Sequence, residues 1–79
     1  MRVQVLVRLK PGVLDVQGKA VEKGLSDLGF GEVSNLRVGK LIEFDVTGST
    51  PDEINKKVKE MCEKLLINTV IENFEIKAL

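Results

Sequence analysis

Apolar and polar residues alternate from the start of the chain. Val3, Val5, Val7 and Leu9 fall on one side of an extended backbone, and Arg2, Gln4, Leu6 and Arg8 on the other. A period of two predicts a half-buried β-strand. Lys10-Pro11-Gly12 ends it: proline fixes its own φ and biases Lys10 towards extended geometry, and glycine is free to take positive φ and turn the chain. The period then lengthens. Ala20, Val21, Gly24, Leu25 and Leu28 make one helical face, so a helix is predicted from Asp15 to Leu28. Asp15 suits the N-cap and Gly29 the position after the last turn. Gly18 and Gly24 lie inside this helix, where each costs about 1 kcal/mol relative to alanine. Such a cost asks for a reason, either close packing within the chain or close approach by another subunit.

Residues 33–46 read as a hairpin turning at Gly39-Lys40. Pairing Val38 with Ile42, Leu36 with Phe44 and Ser34 with Val46 gathers the apolar side chains on one face and sets Arg37 opposite Glu43. Thr50-Pro51-Asp52-Glu53 is a capping box with proline at the first helical position. The second helix runs to Leu66, with Ile54, Val58, Met61, Cys62 and Leu65 as its apolar stripe. Four oppositely charged pairs line its outer side: Glu53–Lys57, Lys56–Glu60, Lys59–Glu63 and Glu60–Lys64. Residues 70–77 form a last strand, with Phe74 and Ile76 inward. The predicted fold is α+β: a single domain, 1–79, of order β-α-β-β-α-β. It is a ferredoxin-like sandwich with an antiparallel sheet and two helices on one face.

Size and charge narrow the function. A chain of 79 residues buries only about 60–65% of its unfolded surface, so self-association is a plausible source of stability. Lysine and arginine number 12, as do aspartate and glutamate; zero net charge gives no general attraction to nucleic acid or anionic membranes. The strand beginning at Arg2 leaves no room for a signal peptide, and no apolar run approaches a membrane span, so a cytoplasmic location is expected. An RNA-binding use of the same fold would need aromatic residues on its central strands, and Arg2–Leu9 has none.

Catalytic chemistry is missing. There is no histidine to serve as general base. Cys62 is the sole cysteine and falls on the apolar stripe, which makes it a core thiol; no Cys/His spacing offers a metal site. The carboxylates are spread along helix surfaces. No catalytic residue and no metal ligand is assigned, and the residues read as a small interaction domain.

Three ordered segments resemble one family. Lys10-Pro11-Gly12-Val13-Leu14-Asp15 with Gln17-Gly18 and Ala20-Val21 is similar to the opening motif of PurS, the small subunit of phosphoribosylformylglycinamidine synthase. Leu28-Gly29-Phe30, Val33 and Arg37-Val38-Gly39-Lys40 resemble its middle segment. Met61–Leu66, Asn68 and Val70-Ile71-Glu72 resemble its closing one. Val16 and Thr69 stand where that family often has proline. The resemblance implies a non-catalytic subunit of a ligase in purine biosynthesis. The complex converts formylglycinamide ribonucleotide, glutamine and ATP to formylglycinamidine ribonucleotide. A glutaminase, PurQ, releases ammonia, and a synthetase, PurL, uses ATP and magnesium to add it. PurS forms a homo-oligomer, a dimer or tetramer, bridges the two partners and assists ammonia transfer; it binds no cofactor itself. By this resemblance Asp15, Gln17, Gly18, Arg37 and Lys40 are the candidate interface residues. Each also has a local reading: Asp15 as N-cap, Gly18 as turn element, Arg37 as partner of Glu43, and Lys40 and Gln17 as solvated side chains. The alternative function is a regulatory module of the same fold that binds a small ligand at a dimer interface.

Overall fold

A computed structural model describes residues 1–78. Its centre is β1, Arg2–Leu9, flanked by β2, Lys40–Asp45, and β3, Glu72–Ala78. Both neighbours run antiparallel to it, giving the strand order β2-β1-β3. The alternating pattern decides which face is buried. Val5 lies between Ile42 and Ile76, Val3 beside Phe44, and Val7 beside Phe74. Val3, Val5 and Val7 are 0 to 2% exposed. The opposite face is polar. Arg2 meets Asp45 at 3.5 Å, Arg8 meets Glu75 at 3.5 Å, and Gln4 donates to Glu43 at 3.1 Å. Such exposed pairs add little stability each, but they agree with the apolar register and so oppose a one-residue slip.

The second helix, Pro51–Met61, starts as its capping sequence dictates: the Thr50 hydroxyl accepts the Glu53 N–H at 3.2 Å. Glu53 itself turns away from the cap, accepting from the Ser49 hydroxyl at 2.5 Å and pairing with Lys57 at 3.5 Å. Glu60–Lys64 closes at 2.9 Å. Ile54, Val58 and Cys62 are buried and pack with the β1 valines in one core. From Cys62 to Leu66 the helix widens into a π-type turn, closed by the Ile67 N–H on the Cys62 carbonyl at 3.1 Å. The extra residue rotates the stripe. Leu65, expected inside, is 84% exposed, Met61 is also exposed, and Leu66 and Ile67 turn inward instead.

Among the described residues the expected hairpin does not form, and the sheet has three strands and not four. Residues 33–39 are irregular, and β2 pairs with β1 alone: Ile42 lies opposite Val5 and Phe44 opposite Val3, not opposite Val38 and Leu36. The cause is local. Asn35 takes φ 55°, outside strand geometry. The Leu36 N–H donates to Glu22 Oε1 at 3.0 Å and the Val38 N–H to Asp15 Oδ2 at 2.7 Å, so helix-borne carboxylates occupy donors that a ladder would need. Arg37 consequently does not face Glu43. Its guanidinium donates to the Lys10 carbonyl at 3.3 Å, and Glu43 pairs with Gln4.

The first helix, α1, is Val16–Asp27, with Asp15 as N-cap. It ends at Gly29, whose φ is 99°. The N–H of Gly29 returns to the Ser26 carbonyl at 3.0 Å and that of Phe30 to the Leu25 carbonyl at 2.9 Å, a Schellman ending. The helix is where expected, but its orientation is not. Among the described residues it contributes nothing to the core, and the second helix alone covers the sheet's apolar face. Gly18 is its one buried residue, with Glu22 and Leu25 half-buried; the anticipated inner residues Ala20, Val21, Gly24 and Leu28 lie outward. No atom of the body comes within 4 Å of a Cβ built on Gly24, which removes packing on the chain's own sheet as its explanation. α1 therefore projects as an arm. The molecule measures 51 × 25 × 14 Å with a radius of gyration of 15.9 Å, against about 12 Å for a compact domain of this length.

Candidate protein interface

The five candidate residues cluster where β1 hands over to α1. Lys10-Pro11-Gly12-Val13 forms a type II turn: the Val13 N–H returns to the Lys10 carbonyl at 3.1 Å and Gly12 takes φ 86°. The 37–40 segment crosses the end of β1 so closely that a Cβ on Gly39 would lie 2.5 Å from the Val7 carbonyl oxygen. This crossing brings Asp15, Gln17 and Lys40 around one shallow hollow of about 210 Å³, together with Glu72. A neighbouring groove of about 470 Å³ is shared by Asp15, Lys19, Glu22 and Arg37.

The members of the cluster differ in how far they are engaged. Asp15 is 5% exposed, and its carboxylate accepts the Gly18 N–H and the Val38 N–H, each at 2.7 Å. Gly18 is buried against it; a Cβ there would lie 2.5 Å from Asp15 Oδ2 and 2.7 Å from the Leu36 carbonyl oxygen. Lys40 reaches Glu72 at 3.5 Å. Gln17 and Arg37 are exposed. The Val38 N–H and then the Gly18 N–H, with the charge of Arg37 beside them, hold the Asp15 carboxyl below its ordinary pKa against a weaker upward push from desolvation.

A pH dependence follows. A carboxyl whose pKa is depressed on folding adds stability at pH values above its unfolded pKa of about 4, and that stability is lost as pH falls through the lower folded value. Glu53, held down by Ser49 and Lys57, and Glu60, held down by Lys64, act in the same direction. Urea midpoints measured from pH 7 down to pH 2 should fall most steeply below about pH 4. The share of Asp15 belongs to α1: protection of the α1 amides from exchange should fall as pH drops through the same range, and Asp15→Asn should remove that dependence; a dependence equal to the wild type's would remove Asp15 from the explanation.

What the sequence did not bring forward is the apolar surface. Leu14 and Val16, on either side of Asp15, are 70 and 71% exposed, and Leu28 and Phe30 at the far end of the arm are 75 and 51% exposed. A second apolar depression lies between β2 and the π-type turn, floored by Phe44, Met61, Leu65 and Leu66. The signal for Leu14 and Val16 was present in their position: apolar side chains bracketing a buried N-cap point away from it. Contact with another protein would remove these apolar side chains from water.

Among the described residues no three His, Cys, Asp or Glu side chains converge. Cys62 is free and fully buried, and burial followed by the charge of Glu63 pushes its thiol pKa up, away from nucleophilic use. Among the described residues no helix is long and apolar enough to cross a membrane.

The fold is that of a small α+β protein built on an antiparallel sheet, with apolar side chains exposed around its first helix. A family model described as PurS, phosphoribosylformylglycinamidine (FGAM) synthase, matches residues 2–79. The PurS subunit of Synechocystis sp. is 49% identical, over 96% of this chain and 78% of that protein. The crystal structure of Bacillus subtilis PurS superposes with a TM-score of 0.86 at 46% identity, covering 96% of this chain and 94% of that one. A chain of the Thermotoga maritima PurLQS structure gives 0.90 at 31% identity, covering 99% and 95%. The chain belongs to the PurS family of FGAM synthase subunits, which act in purine biosynthesis.

Proposed function

We propose that this chain is the assembly subunit of FGAM synthase, bridging a PurQ-type glutaminase and a PurL-type synthetase and assisting ammonia transfer between them. Formylglycinamide ribonucleotide, glutamine, ATP and water are converted by the complex to formylglycinamidine ribonucleotide, glutamate, ADP and phosphate, with ATP and magnesium handled by the synthetase. The observation that carries this reading is the projecting α1 arm, whose Leu14, Val16, Leu28 and Phe30 side chains lie in solvent. An element that buries so little of itself on its own body is shaped for contact with another. Similarity to a chain of the Thermotoga PurLQS structure supports the same partners. Self-association, as a dimer or tetramer, suits a 79-residue chain with a small core. The working location is the cytoplasm.

Ammonia explains why a bridge is useful. At neutral pH free ammonia in bulk water takes up a proton and loses its nucleophilic lone pair. Holding donor and acceptor sites in register, with water excluded between them, limits that loss. Gln17, Arg37 and Lys40 are the polar contacts assigned to the partner surface. Asp15 and Gly18 support that surface from beneath. Sedimentation velocity tests the bridge: glutaminase and synthetase should co-sediment as one faster species only when this chain is added. Co-sedimentation that is equal without it would contradict the role.

A further inference from the structure

The α1 arm has few ties to the rest of the molecule. It places no side chain in the core. A free helix of 12 residues is marginal in water, so its order must be imposed from outside or at its ends. The far end is closed by its own Schellman turn. Near the body, two carboxylates on one side of the helix reach the irregular 36–38 segment. Asp15 Oδ1 accepts the Gly18 N–H inside the helix while Oδ2 accepts the Val38 N–H outside it, so one side chain joins the two. Two turns further along, Glu22 Oε1 accepts the Leu36 N–H at 3.0 Å. Gly18 lies between them and lets the Leu36 carbonyl approach to a distance no Cβ would permit. A single hinge bond leaves a rod free to swing; a second bond two turns away fixes its direction.

We propose that Asp15 and Glu22 form a two-point latch that sets the direction in which α1 leaves the sheet, independently of the folding of the sheet and second helix. The latch fixes the arm before a partner arrives, so docking does not have to order it. This consequence rests on the assembly role proposed above; the latch itself does not.

Hydrogen–deuterium exchange on the full-length protein at pH 7 tests it, with sedimentation velocity run on the same samples. Asp15→Asn keeps the size of the side chain but removes its charge and turns one acceptor into a donor. Amides of residues 16–27 and 36–38 should exchange about tenfold faster or more, as expected for losing a charged hydrogen bond, with the amides of β1 and the second helix unchanged. Glu22→Gln should give a smaller increase confined to residues 20–27 and 36. An equal increase throughout β1 and the second helix would overturn the latch, because Asp15 would then belong to the core's cooperative unit. No increase in either variant would overturn it as well. If the arm exchanges faster in Asp15→Asn while assembly with the glutaminase and synthetase stays wild-type, the latch stands and the arm's part in assembly falls. Lost assembly with unchanged arm exchange would overturn the latch and leave the assembly role intact.

Discussion

Gly18→Leu is expected to destabilise the isolated protein by about 2 to 3 kcal/mol, the usual upper range for overpacking. The reason is crowding on two sides. The first carbon of any side chain at position 18 would lie 2.5 Å from an Asp15 carboxylate oxygen and 2.7 Å from the Leu36 backbone carbonyl. The carboxylate cannot yield without releasing Val38, and the carbonyl belongs to the segment that leads into β2. Even alanine makes the clash, so Gly18→Ala should also lose stability, although alanine is the better helix former by about 1 kcal/mol. Gly24 is the internal control. It lies in the same helix with nothing of the body within 4 Å. Gly24→Ala should therefore stabilise the isolated chain by up to about 1 kcal/mol. Chemical denaturation of the three variants reads the result. A domain of this size has about 4 to 12 kcal/mol in all, so a loss of 2 to 3 is easily measured. If Gly18→Leu melts like the wild type, the crowding around Asp15 relaxes without cost and the latch geometry is not rigid.

The contrast between these glycines marks where the sequence could and could not be read. Both were conspicuous as costs inside a helix, and both suggested close approach. Which one approaches its own chain depends on the direction of α1, and that is a tertiary property. Local signals were legible. Alternating valines gave β1 and its buried face, Pro11-Gly12 gave the turn, Asp15 and Gly29 gave the ends of α1, and Thr50-Pro51 gave the start of the second helix.

The failures share one cause. The 33–38 stretch alternates as a strand would, but its N–H groups at Leu36 and Val38 are taken by Glu22 and Asp15, residues 14 and 23 positions away. No local pattern announces such competition. Leu65 was misplaced because one extra residue in the π-type turn shifts the helical phase, and periodicity assumes a constant phase. Asp15 was identified as a cap, and only the structure shows that its second oxygen holds another segment. The interface assignments came from motif resemblance and favoured polar residues. The apolar side chains around them became visible only once the arm was seen to stand clear of the sheet.

The second large effect is on activity, and it tests the central claim most directly. Glutaminase and synthetase would be assayed for product formation with and without this chain, once with glutamine and once with ammonium as nitrogen source. In the proposed role, ammonia released by the glutaminase needs a protected path to the synthetase, whereas ammonium supplied in bulk does not. Omitting the chain should lower the glutamine-driven rate on the order of tenfold or more, equivalent to at least about 1.4 kcal/mol in effective barrier. The ammonium-driven rate should change by less than about twofold, because in the proposed role the chain supplies no group to the synthetase reaction. A glutamine-driven rate indifferent to the chain would contradict the assembly and transfer role, and an equal loss in both reactions would show that the synthetase itself depends on it.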